Sequence, residues 1–207
     1  MLFLSEYKPK RIKKDNIQKS RIKIFNFSNS NLNFLLNKRF LWMKKYTSKK
    51  KIIIELGSGN GCIKKVLSKE KIILTDIFKY PWIKKKIDMR KMNLAKKYIN
   101  KIDVFIFNHS LHHCSNPTAT LKKISKFLKK GGLIVLNEPE ASFFLRFVQY
   151  ILDDEGWSYN VNIFNEKKKY LDLTTHGLQI QRQQTYFFLI KKNFIKIFHI
   201  IKLLKMI

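Results

Sequence analysis

The sequence predicts an α/β fold, a mainly parallel sheet with helices on both faces. Three observations carry that expectation. Ile52 to Gly61, IIIELGSGNG, is a β-branched apolar run that ends in glycines at every second position, Gly57, Gly59 and Gly61. Further apolar runs of strand length, KIILTDIF, KIDVFIF and LIVL, follow it, with segments of helical spacing between them. At 207 residues and 45% hydrophobic content, the chain suits one domain with a real core.

Residues 1–50 read as a basic arm, Lys8–Lys14, and a helical cap. Ser30 or Asn31 caps a helix that carries Leu32, Leu35, Leu36, Phe40 and Met43 on one side. Arg39, Trp42 and Tyr46 fall on or beside that face, which is expected to pack on the sheet edge. The strand from Ile52 runs through the glycines into CIKKVLSKEK, where Ile63, Val66 and Leu67 have helical spacing. Strand, tight glycine turn and helix let a ligand approach the backbone at the strand's carboxyl end. A dinucleotide fingerprint would need a third glycine where Cys62 stands, and no GxxxxGK[ST] string occurs, which excludes a P-loop. The second strand ends at Asp76, 19 residues after Gly57 (76 minus 57), near the roughly 20 expected between a glycine turn and a ribose-binding acid. A carboxylate there accepts from both ribose hydroxyls; the alternative is a turn former.

The string E-x-G-x-G-x-G at Glu55–Gly61 resembles motif I of the class I S-adenosylmethionine (SAM)-dependent methyltransferases. KIDVFIF running into NHSLHHCSNP is similar to that family's fourth motif, with Asp103 as its acid and Asn108 to His113 with Pro117 as its loop. Thr118–Lys130 reads as an amphipathic helix with Leu121, Ile124, Phe127 and Leu128 inward and a glycine C-cap at Gly131-Gly132. Helix, KKGG and the strand LIVLNEPE together resemble the family's "LKPGG-strand" signature, with Lys130 in the usual proline position. The resemblance covers about Ile52 to Glu140 and implies a Rossmann-like sheet of the seven-stranded type, its strand order reversing beside the glycine turn. It implies SAM as cofactor. Glu55, Gly57, Ser58, Gly59 and Gly61 would cradle it, Asp76 and Ile77 would meet the ribose, and Asp88 and Met89 would lie near the adenine. Asn108 and His109 would lie beside the methyl donor. For Asp88 a pairing with a neighbouring lysine stays open. For the loop histidines a general base, His113 first and His109 second, is the less favoured of two readings, although an imidazole titrates near neutrality. The alternative is a histidine at a helix start that shapes the pocket by hydrogen bonds. Three histidines within five residues lack cysteine or carboxylate partners at ligand spacing, so no metal site is expected.

Lys and Arg number 43 against 14 acids, a net charge of +29, which points toward a polyanion. Only 6 of the 43 are Arg, and Lys, Asn, Ile and Phe, the residues of A/T-rich codons, dominate the composition. Basic clusters such as Lys49–Lys51, Lys84–Lys86 and Lys167–Lys169 spread along the chain rather than form one block. A nucleic-acid partner is therefore not favoured over a small-molecule or glycan acceptor. Tyr80-Pro81-Trp82 resembles bacterial methyltransferases found with cell-surface polysaccharide genes, which points the same way. Residues 141–207 form the expected acceptor side: an apolar helix Ala141–Leu152, the acids Asp153–Glu155 beside Trp157 and Tyr159, and an edge strand over 179–190. The tail NFIKIFHIIKLLKMI is either a last strand or a cationic amphipathic helix suited to an anionic membrane surface. No apolar run reaches the roughly 18–20 residues of a membrane span, and two cysteines make no disulfide framework. The expectation is a cytoplasmic enzyme with its oligomeric state left open; peripheral contact with the inner membrane face belongs only to the helical reading of the tail. The enzyme would methylate an O or N atom of a small-molecule or sugar-like acceptor. The alternatives are an RNA methyltransferase and a non-catalytic SAM-binding, membrane-associated accessory protein.

Overall fold

The computed structural model describes residues 6–7, 16–26, 29–114, 116–138, 143–152, 157–158 and 179–180. In chain order the elements are β1 (Glu6–Tyr7), α1 (Ile17–Asn26), α2 (Ser30–Phe40), α3 (Lys44–Thr47), β2 (Ile53–Leu56), α4 (Ile63–Val66), β3 (Ile72–Asp76) and β4 (Lys85–Lys86). Then come β5 (Ile102–Asn108), α5 (Pro117–Ser125), β6 (Leu128–Asn137), α6 (Phe143–Leu152), β7 (Trp157–Ser158) and β8 (Gln179–Ile180). The arm Lys8–Lys14, Asp153–Glu155, most of the expected edge strand and the tail from Asn193 lie outside the described residues.

Among the described residues, five strands form the main sheet in the order β4-β3-β2-β5-β6, and every pairing is parallel. For β2, β3, β5 and the end of β6 the apolar runs explain this, since strands covered on both faces need no polar alternation; β4, two lysines, is the exception. Along β2 and β5, Ile54, Leu56, Phe105 and Phe107 join Ile134, Leu136, Leu111 and Ile124 on one face. Ile53, Val104, Ile106 and Val135 join Leu36, Phe40, Met43 and Ile63 on the other. From β2 the chain moves outward to β3 on one side and later to β5 on the other. Strand order thus reverses beside the glycine turn, which makes the carboxyl ends of β2 and β5 the place where open α/β sheets form a ligand crevice. The two-residue strands β1, β7 and β8 make a second, small sheet, so Gln179–Ile180 is not an edge of the main one.

Three elements differ from expectation. Helix α5 stops at Ser125 instead of Lys130, because Ile102 of the neighbouring strand pairs with Leu128. The next ladder pair is Val104 with Leu133, so residues 129–132 form a bulge rather than a helix cap. Gly131 stands at φ +76 there, and a Cβ on Gly132 would meet the Ile102 carbonyl at 2.9 Å. Lys129 pairs with Asp103 across the same bulge, and the Asp103 carboxylate also accepts from the Ile52 N–H at 2.9 Å. Helix α2 is capped by Asn29, whose side chain accepts from Asn31 and Leu32, and it turns Leu35 outward. Helix α1 was not anticipated; the Asn16 side chain caps it, accepting from the Lys19 N–H at 2.8 Å.

Candidate functional site

The crevice is bounded by the turn after β2, the acid ending β3, the loop after β5 and the end of β6. Its centre is the glycine turn. Gly57, Gly59 and Gly61 all have positive φ, which an L side chain rarely adopts. They serve different ends. A Cβ on Gly57 would sit 2.7 Å from the Ser110 Cβ, and one on Gly61 would meet Leu74 at 2.8 Å and Arg21 at 2.9 Å. Among the described residues, a Cβ on Gly59 would meet nothing within 4 Å. The outer two glycines are packed against protein, and the middle one faces open space where a ligand can approach the backbone.

The turn is held from both sides. The Ser58 N–H donates to the Thr75 carbonyl, and its hydroxyl accepts from the Thr75 N–H at 3.1 Å, tying β2 to β3. Asp76 accepts from the Gly59 N–H at 2.9 Å and from the Phe78 N–H at 3.1 Å. This carboxylate therefore stands directly beside the open glycine. From α1, Arg21 donates to the Asn60 carbonyl at 2.6 Å, while the Asn60 amide donates to Ser20. Trp82 donates to the Gly59 carbonyl at 2.8 Å and stacks on Tyr80, with Arg21 4.6 Å over its ring. The Tyr-Pro-Trp string thus forms one wall of the turn, and α1 clasps it from outside.

Glu55 lies on β2 with 1% exposure, and among the described residues its Oε2 has no hydrogen-bond partner. Burial pushes its carboxyl up to about 8, against the pull of Ser58 and Arg39. Arg39 reaches from α2 to the end of β5, where its Nε donates to Asn108 Oδ1 at 3.0 Å. Asn137, ending β6, donates to the same oxygen at 2.9 Å. Only Nε of the Arg39 guanidinium is engaged among the described residues; neither Nη is. The Arg39 guanidinium also acts electrostatically on the buried Glu55 carboxyl, so the two groups lie near one another between β2 and α2.

Glu138, just past β6, organises the loop after β5. One oxygen accepts from the Ser110 N–H at 3.0 Å and the Leu111 N–H at 2.8 Å; the other meets His112 Nδ1 at 2.5 Å. Burial works against the charged carboxylate, but His112 and the two N–H groups hold it below the usual range. His109 is exposed at φ 52, its N–H donating to the Asn137 carbonyl at 2.7 Å. His113 is half-buried, and burial together with the adjacent His112 pushes its imidazole down to about 4. It is neutral at pH 7 but a weak base.

Among the residues expected to meet a cofactor, Glu55, Gly57, Ser58, Gly59, Gly61, Asp76, Asn108 and His109 lie along the turn and the strand ends. Met89 is buried, with its Cε 3.7 Å from where a Gly57 Cβ would stand, and Ile77 follows Asp76 half-buried. Asp88 is held by Arg90 rather than a lysine, at 2.9 Å to Nε and 3.0 Å to Nη2, which keeps its carboxyl below the usual range. Sequence reasoning passed over Glu138 and Arg21, and for Arg39 it favoured a helix packed on the sheet edge over one that helps cover the site. Arg39 carried a signal, lying beside the inward face of its helix; Glu138 carried none beyond following a buried strand.

A methyltransferase-domain family model matches residues 27–187. A search of curated proteins finds no match. Among solved structures, a SAM-dependent methyltransferase from Archaeoglobus fulgidus is 18% identical with a TM-score of 0.48, over 66% of this chain and 65% of that one. One from Aquifex aeolicus is 20% identical with a TM-score of 0.45, over 63% and 76%. The CMeT domain of the citrinin polyketide synthase is 15% identical with a TM-score of 0.44, over 77% of this chain and 50% of that domain's chain. The chain thus spans about half the length of that last structure.

Proposed function

This chain belongs to the methyltransferase-domain family, and on that premise we propose that it binds SAM in the crevice and methylates an oxygen or nitrogen of a small-molecule or sugar-like acceptor. The observation that carries the cofactor reading is the open side of Gly59 next to Asp76 and the unmatched Glu55. A ligand with a ribose and a zwitterionic amino-acid tail satisfies all three. Asp76 would accept from the ribose hydroxyls. Glu55 would receive the tail's ammonium, and Arg39 would take its carboxylate through the unengaged Nη groups. A dinucleotide, by contrast, brings a pyrophosphate toward a buried carboxyl.

When bound, SAM supplies an activated methyl group for in-line displacement by the acceptor. The chain's own contribution is positioning and exclusion of water, plus a proton acceptor where the acceptor atom must lose a proton. The loop from His109 to His113 would line the acceptor side, with Glu138 fixing its backbone. His113, neutral and weakly basic, fits a hydrogen-bonding role toward the acceptor better than a proton-holding one.

The experiment is calorimetric titration of the full chain with SAM, S-adenosylhomocysteine and NAD, followed by methyl transfer from labelled SAM to a panel of sugars, nucleotide sugars and RNA. Micromolar-range binding of both sulfur ligands and none of NAD is expected. A folded protein that ignores both would sink the cofactor reading, and labelled RNA would overturn the acceptor class.

A further inference from the structure

Helix α2 is apolar on two faces. One belongs to the core, where Leu36, Phe40 and the following Met43 are buried. The other faces solvent: Phe34 is 60% exposed, Leu35 62% and Leu41 52%. Surface helices ordinarily present polar residues there. Along the outer face the apolar residues alternate with cations. Phe34 and Lys38 stand one turn apart on α2, and Leu41 and Lys45 follow in the 3-10 turn Leu41–Met43 and in α3, all four exposed. The Lys38 ammonium lies 5.4 Å over the Phe34 ring, and Lys44 is exposed alongside.

What covers such a face must accept both large apolar side chains and positive charge. No Asp or Glu occurs from Asn16 to Ile54, and the whole chain carries +29. A second copy, or the chain's own lysine-rich tail, would bring like charge against Lys38 and Lys45. A nucleic acid would satisfy the lysines but leave Leu35 and Leu41 against phosphate and water. An anionic bilayer satisfies both demands, with headgroups for the lysines and the acyl boundary for Phe34, Leu35 and Leu41.

We propose that the outer face of α2 docks the protein on an anionic lipid bilayer, with the helix lying in the interfacial plane. This surface is separate from the C-terminal tail and does not depend on the methyl-transfer reading. It has a consequence for the crevice: α2 also carries Arg39, whose guanidinium reaches Asn108 at the strand ends. Docking would therefore bring one wall of the crevice to the membrane interface.

The test is co-sedimentation of the full chain with vesicles of phosphatidylglycerol and phosphatidylcholine, against vesicles of phosphatidylcholine alone. Binding is expected only to the anionic vesicles. The variant combining Phe34→Ser, Leu35→Ser and Leu41→Ser should lose about tenfold or more in partitioning, with an unchanged circular dichroism spectrum because all three side chains are exposed. Lys38→Gln with Lys45→Gln should weaken binding as well. A second readout avoids a large change at the surface: Phe34→Trp should add a fluorescence component that shifts to the blue with anionic vesicles. Binding by the triple-serine variant equal to that of the original chain would overturn the proposal. So would no binding by the original chain, an unshifted emission, or a dimer in solution that the triple-serine variant abolishes.

Discussion

Glu55 is a carboxyl group that the fold pays to bury, and its titration gives a test that needs no ligand. Its ordinary value of 4.5 rises to about 8 in the folded chain because burial disfavours the charge. The folded state therefore holds a proton between those values that the unfolded state has lost. By linkage, the contribution to stability is fully present below about pH 4.5 and is lost as pH climbs to about 8, with a slope of up to about 1.4 kcal/mol per pH unit. Glu55→Gln should flatten that fall, measured as the difference in Tm slope between the two proteins across this range. Parallel slopes would mean that Glu55 is ionised or solvated in the folded protein. Arg39 gives the complementary test. If it takes the tail carboxylate, Arg39→Ala should weaken SAM roughly ten- to a hundredfold, the range for a hydrogen bond between charged groups. It should leave decarboxylated SAM, which has no carboxylate, bound as before. An equal loss for both ligands would make Arg39 a scaffold residue. The glycines divide similarly. Gly57→Ala must push against Ser110, whereas Gly59→Ala meets no atom and carries only left-handed strain, about 1–2 kcal/mol. Urea unfolding should rank Gly57→Ala the more destabilised of the two. SAM titration should show Gly59→Val abolishing binding.

At the scale of elements, the loop after β5 depends on the end of β6. The Ser110 and Leu111 N–H groups are in buried residues and share one Glu138 oxygen, while His112 takes the other. Glu138→Ala should cost about 1–3 kcal/mol for each N–H left unmatched, read from urea unfolding, and Glu138→Gln should cost less because its amide oxygen can still accept. Similar small losses in both would mean that water replaces the carboxylate. This dependence also shows what a sequence can and cannot convey. Strands β2, β3 and β5 and the second half of β6 were legible because each is a continuous apolar run, whereas β4, Lys85–Lys86, has none; the turn was legible because alternate glycines have few other uses. The spacing from Gly57 to Asp76 reads as that of a glycine turn and a ribose-binding acid, and the fold sets this carboxylate against the Gly59 N–H. The partners of Glu138 lie 26 to 28 residues away along the chain, and no local pattern encodes that meeting. The α5 boundary failed for the same reason: residues 126–130 could continue a helix, but pairing with β5 claims Leu128. Leu35 was assigned inward because apolar periodicity cannot tell a core face from a second, exposed one.

At the scale of the whole molecule the governing quantity is charge. With 43 Lys and Arg against 14 acids, about two cations in three have no acid to pair with even if every acid were matched. Some excess has a local use. Lys85 and Lys86 form β4, the edge strand of the main sheet, where positive charge discourages pairing with another chain. Elsewhere the lysines repel one another, and compaction raises that energy because folding brings them closer than they are in the extended chain. Exposed charges are screened beyond about 10 Å at roughly 0.1 M salt. Added salt should therefore relieve the folded state more than the unfolded one. Tm should rise by several degrees between about 0.02 M and 0.5 M sodium chloride, a shift that corresponds to about 1–2 kcal/mol for a chain of this size. The opposing term is the loss of ion pairs such as Arg90 with Asp88 and Lys129 with Asp103, which salt also weakens. A fall in Tm would mean that these pairs outweigh the general repulsion. Repeating the measurement with sodium perchlorate at equal ionic strength separates screening from the strengthening of apolar contacts, because screening follows ionic strength and the apolar effect follows the anion. If the two salts raise Tm equally, self-repulsion sets the stability of this fold. An anionic surface would then stabilise the protein by neutralising the same charges.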